Sequence, residues 1–161
     1  MRKRHVVLLN QLRSYREELV NIVEEVSEKE ADRIPEGFNN NIRWNLGHVC
    51  LDQYLWIQAL TKEKREEPPK LNQWFGFGTE PADFTEDTPS LETLKVLLKR
   101  QPDVIEKEYG ERLEETFPPI DMGMETIEQV LVRTIFHEGL HTQAIIDLKK
   151  GLNRKGRHVS L

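Results

Sequence analysis

The chain has 161 residues, the size of one ordinary domain, and we expect residues 1–161 to form a single domain. It carries 23 basic and 28 acidic residues, a net charge of −5, with both signs scattered along the chain, which argues against nucleic acid or an anionic membrane as a partner. The N-terminus lacks a signal-peptide core, no apolar run is long enough to cross a membrane, and the single cysteine, Cys50, permits no internal disulfide. We therefore expect a cytoplasmic protein.

Two helices are predicted in the first part of the chain. Apolar residues spaced by four and three predict helix 1 over about residues 3–28. An asparagine-rich turn follows, in which Asn40 or Asn41 can cap helix 2, predicted over about residues 42–61. His48 lies inside the apolar stripe of helix 2.

Residues 62–88 show no sustained period and contain three prolines and two glycines, a composition typical of a loop. The same segment carries four aromatic residues, Trp74, Phe75, Phe77 and Phe84. A polar linker would not need these side chains, so we expect a long loop that packs across the domain. Long packed loops often carry function.

Two more helices are predicted in the second half. Helix 3 covers about residues 88–109, with either a kink or a break near Pro102 because proline removes a hydrogen bond and clashes with the preceding turn. Helix 4 covers about residues 124–150 and ends at Gly151, a common residue after a helix. With no convincing strand, the pattern predicts an all-α four-helix bundle, in which the long loop crosses over so that helices 2 and 3 lie parallel.

The segment "FHEGLHTQA" at residues 136–144 contains H-E-x-x-H, the motif that supplies two ligands and the general base of zinc peptidases. A peptidase also needs a third ligand downstream, but position 147 is an aspartate and only twenty residues follow His141. No strand is predicted that could hold a peptide substrate. A protease is therefore the less favoured interpretation of this motif.

His48 is the better third ligand for a metal held by His137 and His141. The last two differ by about 40° in direction on a helix, so both can reach one ion, and all three lie on inward apolar stripes. Three buried imidazoles are hard to satisfy without a common partner, although each could also be a hydrogen-bonded core histidine. His5, at the start of helix 1, is about 20 Å from His48 along the bundle axis and is not expected to be a ligand.

The carboxylates near these histidines leave two roles open. Asp52, one turn after His48, is either an acceptor that orients an imidazole or an ordinary exposed carboxylate. Asp52 and Glu138 are the candidate general bases of a hydrolase that would activate metal-bound water. Cys50 points away from His48 and is expected to fill space in the core.

The combination of "NNNIRWNLGHV", "FGFGT" and "HEGLH" resembles the DinB/YfiT-like superfamily, and the likeness extends from helix 1 to Gly151. The resemblance implies an up-down-down-up four-helix bundle, frequent homodimers, and zinc or nickel bound by His48, His137 and His141. It also implies a metal-dependent S-transferase that uses a low-molecular-weight thiol such as bacillithiol, mycothiol or glutathione. The family often continues its second helix-4 histidine as H-x-G-Q, whereas this chain has "HTQA", with Gln143 at the third position.

From these observations we favour a metal-dependent thiol transferase, or a related enzyme acting on a small molecule. The chain offers no obvious nucleophile of its own, which favours an external thiol. The candidate walls of the substrate pocket are Trp44, Trp74, Phe75, Phe77 and Gln143. The alternatives are a metal-dependent hydrolase and a bundle that binds a metal for stability alone.

Overall fold

The computed structural model describes residues 1–64 and 70–154. Within these ranges the regular structure is helical, and the only β-type pairing is one isolated bridge between Thr116 and Thr126. The helices in chain order are α1 (Lys3–Ile22), α2 (Glu28–Ala31), α3 (Ile42–Thr61), α4 (Leu71–Phe75), α5 (Leu91–Tyr109) and α6 (Ile127–Arg154), with 3-10 turns at Pro81–Asp83 and Asp121–Gly123. The prediction of an all-helical chain is confirmed for the residues described.

Helix α1 is shorter than predicted, because it ends at Ile22 and not near residue 28. A new helix, α2, begins after Ser27, whose hydroxyl accepts from the Glu30 amide at 3.3 Å while the Glu30 carboxylate accepts from the Ser27 amide at 2.9 Å. This reciprocal cap stabilises a separate helix start. Val26 is nevertheless buried, so the apolar pattern identified the buried face correctly but not the helix end.

Helix α3 has the predicted bounds, Ile42–Thr61. Its cap is Asn41, whose side-chain oxygen accepts from the Trp44 amide at 2.8 Å. The helix ends at Lys62, which lies in the left-handed region with φ of 60°. The asparagine-rich turn therefore sets the start of the helix that carries His48.

Helix α5 begins at Leu91, three residues later than predicted, because Ser90 caps it by accepting from the Thr93 amide at 3.1 Å. Pro102 is buried inside one uninterrupted helix. Of the two alternatives at this proline, a break into two helices is therefore wrong.

Helix α6 is displaced from the prediction at both ends, since it runs from Ile127 to Arg154. Gly151 lies within the helix and does not terminate it. A Cβ atom at this position would lie 2.9 Å from the Pro35 Cβ and 3.2 Å from a ring carbon of Phe38, so glycine permits the close approach of that turn. The rest of the predicted tail, from residue 155, lies outside the described residues.

The segment predicted as a long loop contains α4 and a 3-10 turn in the part that the structure describes. Trp74 and Phe75 are buried and Phe84 is half-buried, in agreement with a segment that packs on the domain. Phe77 is the exception, because its side chain is fully exposed. The expectation that all four aromatics pack is wrong for Phe77.

Helix α3 packs against α4, α5 and α6, and α1 packs against α5 and α6. Side-chain pairs between α1 and α6 join Arg4 to Glu128 and Arg16 to Glu138. Pairs between α3 and α6 join Asn45 to His141 and Gln53 to Thr134. The contact between α3 and α6 brings His48 to the two histidines of α6. Among the described helices, none is both long and apolar enough to span a bilayer.

Candidate metal centre

Three histidines from two packed helices form one group, with His48 on α3 and His137 and His141 on α6. Each offers a ring nitrogen, and these nitrogens lie within 4.8 Å of one another. The three rings are partly buried, so the group lies at the edge of the core. At this spacing one metal ion could reach all three.

A main-chain carbonyl sets the orientation of the His48 ring. The carbonyl oxygen of Phe75 lies 2.7 Å from His48 Nδ1, and since a carbonyl only accepts, Nδ1 carries the proton. Helix α4 can come this close because position 47 is a glycine, where any Cβ would overlap the Phe75 ring. On its other side, His48 stacks on Trp44, with ring centroids 4.8 Å apart and planes 8° apart.

An amide orients His141 in the same way. Asn45 donates through its side-chain nitrogen to the Asn41 carbonyl at 2.7 Å, which fixes the direction of the amide and turns its oxygen to His141. That oxygen lies 2.8 Å from His141 Nδ1, so His141 Nδ1 is also protonated. The turn that caps α3 thus orients a histidine on α6.

A carboxylate orients His137. Oδ2 of Asp52 lies 2.8 Å from His137 Nδ1, and the same carboxylate accepts from Trp56 Nε1 and Arg133 Nη1, each at 3.1 Å. Burial raises the pKa of Asp52, but the hydrogen bond from His137 and the neighbouring positive charges outweigh it and hold the pKa below its usual value. Of the two roles considered for Asp52, its contacts match the acceptor that orients an imidazole.

With the three Nδ1 atoms protonated, each Nε2 carries a lone pair. The Nε2 atoms of His137 and His141 lie 3.2 Å apart, and two nitrogens about 2.05 Å from one tetrahedral zinc ion are separated by about 3.3 Å. Two lone pairs at this distance repel each other unless a cation lies between them. The donor set therefore fits a divalent ion that prefers imidazole ligands.

A proton is a poor substitute for that cation. Burial lowers the pKa of His141 to about 3, assisted by the nearby His48 and His137. Burial also lowers the pKa of His48, against the opposing effect of its hydrogen bond to Phe75. Both rings are thus neutral at pH 7, the form that binds metals.

Glu138 does not face the three histidines as a general base would. It is 2% exposed, and Arg16 binds both of its oxygens, with Nε at 2.7 Å from Oε1 and Nη2 at 3.0 Å from Oε2. The third nitrogen of Arg16 donates to Gln101 and to the Leu98 carbonyl. The glutamate of the H-E-x-x-H motif is half of a buried ion pair between α1 and α6.

The predicted pocket residues lie at different distances from the centre. Trp44 contacts His48 directly and donates through Nε1 to the Thr79 hydroxyl at 2.9 Å. Phe75 supplies its carbonyl, while its ring packs on Phe84. Trp74 is buried in the core that surrounds α4, and Phe77 is fully exposed.

Gln143, the remaining pocket candidate, is exposed and donates to Asp147 on its own helix at 3.1 Å. This contact accounts for a surface side chain and places no amide beside the histidines.

Four side chains around the centre were missed in the sequence, namely Asn45, Trp56, Arg133 and Arg16. Asn45 and Arg133 precede His48 and His137 by one helical turn, so helical spacing from a ligand would have identified them. Arg16 gave no such signal, because a charged residue in an apolar stripe is normally exposed.

His5 belongs to a separate group with Glu114 and Glu128. Its Nδ1 accepts from the Arg2 amide at 3.3 Å, and its Nε2 lies 3.4 Å from Glu128. It lies on α1 beside the start of α6 and is not part of the group formed by His48, His137 and His141.

The family model of the DinB superfamily matches residues 11–145, a range that contains His48, His137, His141 and the acceptors that orient them. The match confirms the resemblance seen in the sequence. No curated protein was found to match the chain.

Proposed function

Because the chain belongs to the DinB superfamily, we propose that His48, His137 and His141 bind one divalent ion, zinc or nickel, in a small-molecule transferase that uses an external thiol. The observation that carries the metal site is the arrangement of the rings. Each Nδ1 has its own oxygen acceptor, which leaves the Nε2 lone pairs for a shared ion. Three protein ligands leave the ion open to a further ligand.

Such an ion favours the thiolate form of a thiol that it binds, and so supplies a nucleophile at neutral pH. The protein's own part is to hold the rings. Phe75, Asn45 and Asp52 fix the tautomer and direction of each imidazole, which strengthens it as a ligand. Trp44 gives one wall of the pocket an apolar surface.

The contacts around the centre support an external nucleophile. Cys50 is buried, and burial raises the pKa of its thiol to about 12, so it is not a thiolate at neutral pH. Arg16 donates two hydrogen bonds to the Glu138 carboxylate. The Asp52 carboxylate accepts from His137, Trp56 and Arg133. Among the described residues near the histidines, the cysteine is therefore protonated and both predicted bases are engaged in hydrogen bonds.

These contacts also weigh against the hydrolase alternative, which needs Glu138 or Asp52 as a base facing the ion. A purely structural metal would need a closed shell of ligands. Three histidines do not close that shell.

We further propose the up-down-down-up arrangement and the long crossover that the family implies. The side-chain pairs between helices support this arrangement. In the pairs between α1 and α6 both residue numbers increase together, as in parallel helices, whereas between α3 and α6 one number increases as the other decreases, as in antiparallel helices. A single domain, a homodimer and a cytoplasmic location complete the proposal, the last because Cys50 has no partner for an internal disulfide.

The test is to load the protein with cobalt, which reports on its ligands by visible absorption, and to add cysteine, glutathione, bacillithiol and mycothiol in turn. We expect at least one thiol to change the spectrum and to be conjugated to 1-chloro-2,4-dinitrobenzene, and His48→Ala to lose both effects. If none of the four thiols changes the spectrum, the thiol proposal fails. Turnover of an ester that requires the metal but no thiol would instead establish the hydrolase.

A further inference from the structure

The proposed function leaves open what kind of thiol enters the site, and Arg133 bears on this. Arg133 lies one turn before His137 on α6. Its Nη1 donates to Asp52 Oδ2 at 3.1 Å, the same oxygen that accepts from His137 Nδ1 at 2.8 Å. The carboxylate of Asp52 therefore connects the guanidinium to His137, a proposed metal ligand.

An aromatic ring holds this guanidinium in place. The Cζ atom of Arg133 lies 4.4 Å from the centroid of the Trp56 ring, and Trp56 itself donates to Asp52 Oδ1 at 3.1 Å. Stacking and the ion pair together fix the plane of the guanidinium. Little rotamer entropy would then be lost when it binds a ligand.

Most of the donors of Arg133 remain available. A guanidinium has five N–H groups, and within residues 1–64 and 70–154 the bonded partner of this one is Asp52, through Nη1 alone. The side chain is 24% exposed, and neither Nε nor Nη2 is among the buried side-chain atoms that lack a partner in the described residues, so solvent reaches both. A fixed guanidinium edge with free donors is suited to bind a carboxylate through two parallel hydrogen bonds.

The charges around the centre favour the same ligand. Asp52 and Arg133 neutralise each other, and His48 and His141 are neutral rings, so a bound divalent ion leaves the site positive. An anionic ligand of the ion would be attracted by this positive charge and by the guanidinium of Arg133.

Resting on the proposed function, we propose that Arg133 binds a carboxylate of the thiol substrate, so that the site selects anionic thiols. The competing explanation is that Arg133 only positions Asp52, and through it His137. The two differ in what they predict for charged and neutral thiols of one length. A positioning residue affects both alike, whereas a binding residue affects only the charged one.

The experiment measures the Kd of 3-mercaptopropionate and of 3-mercaptopropan-1-ol by titration of the cobalt-loaded protein. We expect the wild type to bind the carboxylate about tenfold or more tightly than the alcohol. Arg133→Gln should bring that ratio close to one while leaving the Kd of the alcohol almost unchanged. Arg13→Gln, which removes an α1 arginine paired with Asp103 and Glu106 of α5, should change the Kd of neither thiol.

A ratio that is unchanged in Arg133→Gln, or an equal loss for both thiols, would overturn the proposal. A second measurement tests anion binding by Arg133 without any thiol present. In zinc-loaded protein, the Nε–H resonance of Arg133, assigned by its absence in Arg133→Gln, should shift saturably with methanesulfonate and not with methanesulfonamide. If no thiol binds but this shift occurs, the proposed function fails and the anion site stands; if the shift is absent, the anion site is rejected.

Discussion

Each histidine ring of the centre is directed by an oxygen that lies elsewhere in the chain. Phe75 O, Asn45 Oδ1 and Asp52 Oδ2 each lie 2.7 to 2.8 Å from an Nδ1 atom. Because these acceptors belong to the protein chain, they direct the lone pairs of the rings independently of the ion. Metal binding then requires little movement of the rings, but in the metal-free protein the Nε2 lone pairs of His137 and His141 repel each other.

Burial of His141 makes the stability of the metal-free protein depend on pH. The pKa of His141 is about 3 in the folded protein and near the ordinary value of 6.5 when unfolded. Between these values the unfolded state binds a proton that the folded state does not. The contribution of a neutral His141 to the free energy of unfolding is therefore complete above about pH 6.5 and is lost progressively as the pH is lowered toward 3.

Denaturant unfolding in EDTA between pH 5 and 7 measures this dependence. The range lies above the ordinary pKa of most carboxyl groups. The free energy of unfolding of the wild type should rise with pH more steeply than that of His141→Gln. Equal slopes would mean that His141 can be protonated in the folded state.

At the residue scale the sequence predicted the group of three histidines, because helical spacing and inward stripes are local properties. It did not predict the acceptors. The Phe75 carbonyl is 27 residues from His48, and no side-chain pattern marks a main-chain oxygen. Asp52 was left between two roles, since only the packing of α6 decides what its carboxylate meets.

At the scale of elements, the junction of α3 and α4 depends on Gly47. A Cβ at this position would overlap the ring of Phe75. Gly47→Ala should therefore push α4 away from α3 and destabilise the protein by about 1–3 kcal/mol. It should also weaken metal binding, because the Phe75 carbonyl moves with α4.

Gly139 on α6 is the matched control, since a Cβ there meets nothing within 4 Å. Gly139→Ala should raise the free energy of unfolding by about 0.5–1 kcal/mol, the helix preference of alanine over glycine. Thermal and denaturant unfolding of both variants measures the contrast. If both substitutions have the same sign, the close approach of Phe75 is not what position 47 provides.

The contact between α1 and α6 depends on a buried ion pair. Arg16 and Glu138 are 1% and 2% exposed and are joined by two hydrogen bonds. Arg16→Met leaves Glu138 buried without its partner and should destabilise the protein by about 3–5 kcal/mol. The double variant Arg16→Met with Glu138→Leu should recover much of that loss in denaturant unfolding. No recovery would indicate that the two side chains act independently.

Element bounds were predictable where capping residues and periodicity agreed. This holds for α3, whose start at Ile42 follows the Asn41 cap. It failed for α1, where the apolar spacing continues to Val26 although Ser27 starts a new helix. The predicted end of α6 at Gly151 was also wrong. The sequence does not distinguish a glycine that permits close packing from a glycine that ends a helix.

At the scale of the whole molecule, the packing of α3 against α6 creates the centre. Helix α3 carries one of the three histidines on its inward face, and α6 carries the other two. The match of the DinB superfamily to residues 11–145 covers α3 and the part of α6 that carries both of its histidines. The all-helical class followed from periodicity and the absence of strand patterns, whereas which helices are neighbours is decided by side chains far apart in sequence.

The central claim is that His48, His137 and His141 bind one divalent ion together. Its most direct test is metal analysis of purified wild type, His48→Ala and His5→Ala after saturation with zinc and removal of free ion. We predict about one equivalent of zinc in the wild type and in His5→Ala, and loss of it in His48→Ala. A full equivalent retained in His48→Ala, or lost in His5→Ala alone, would contradict the three-histidine site.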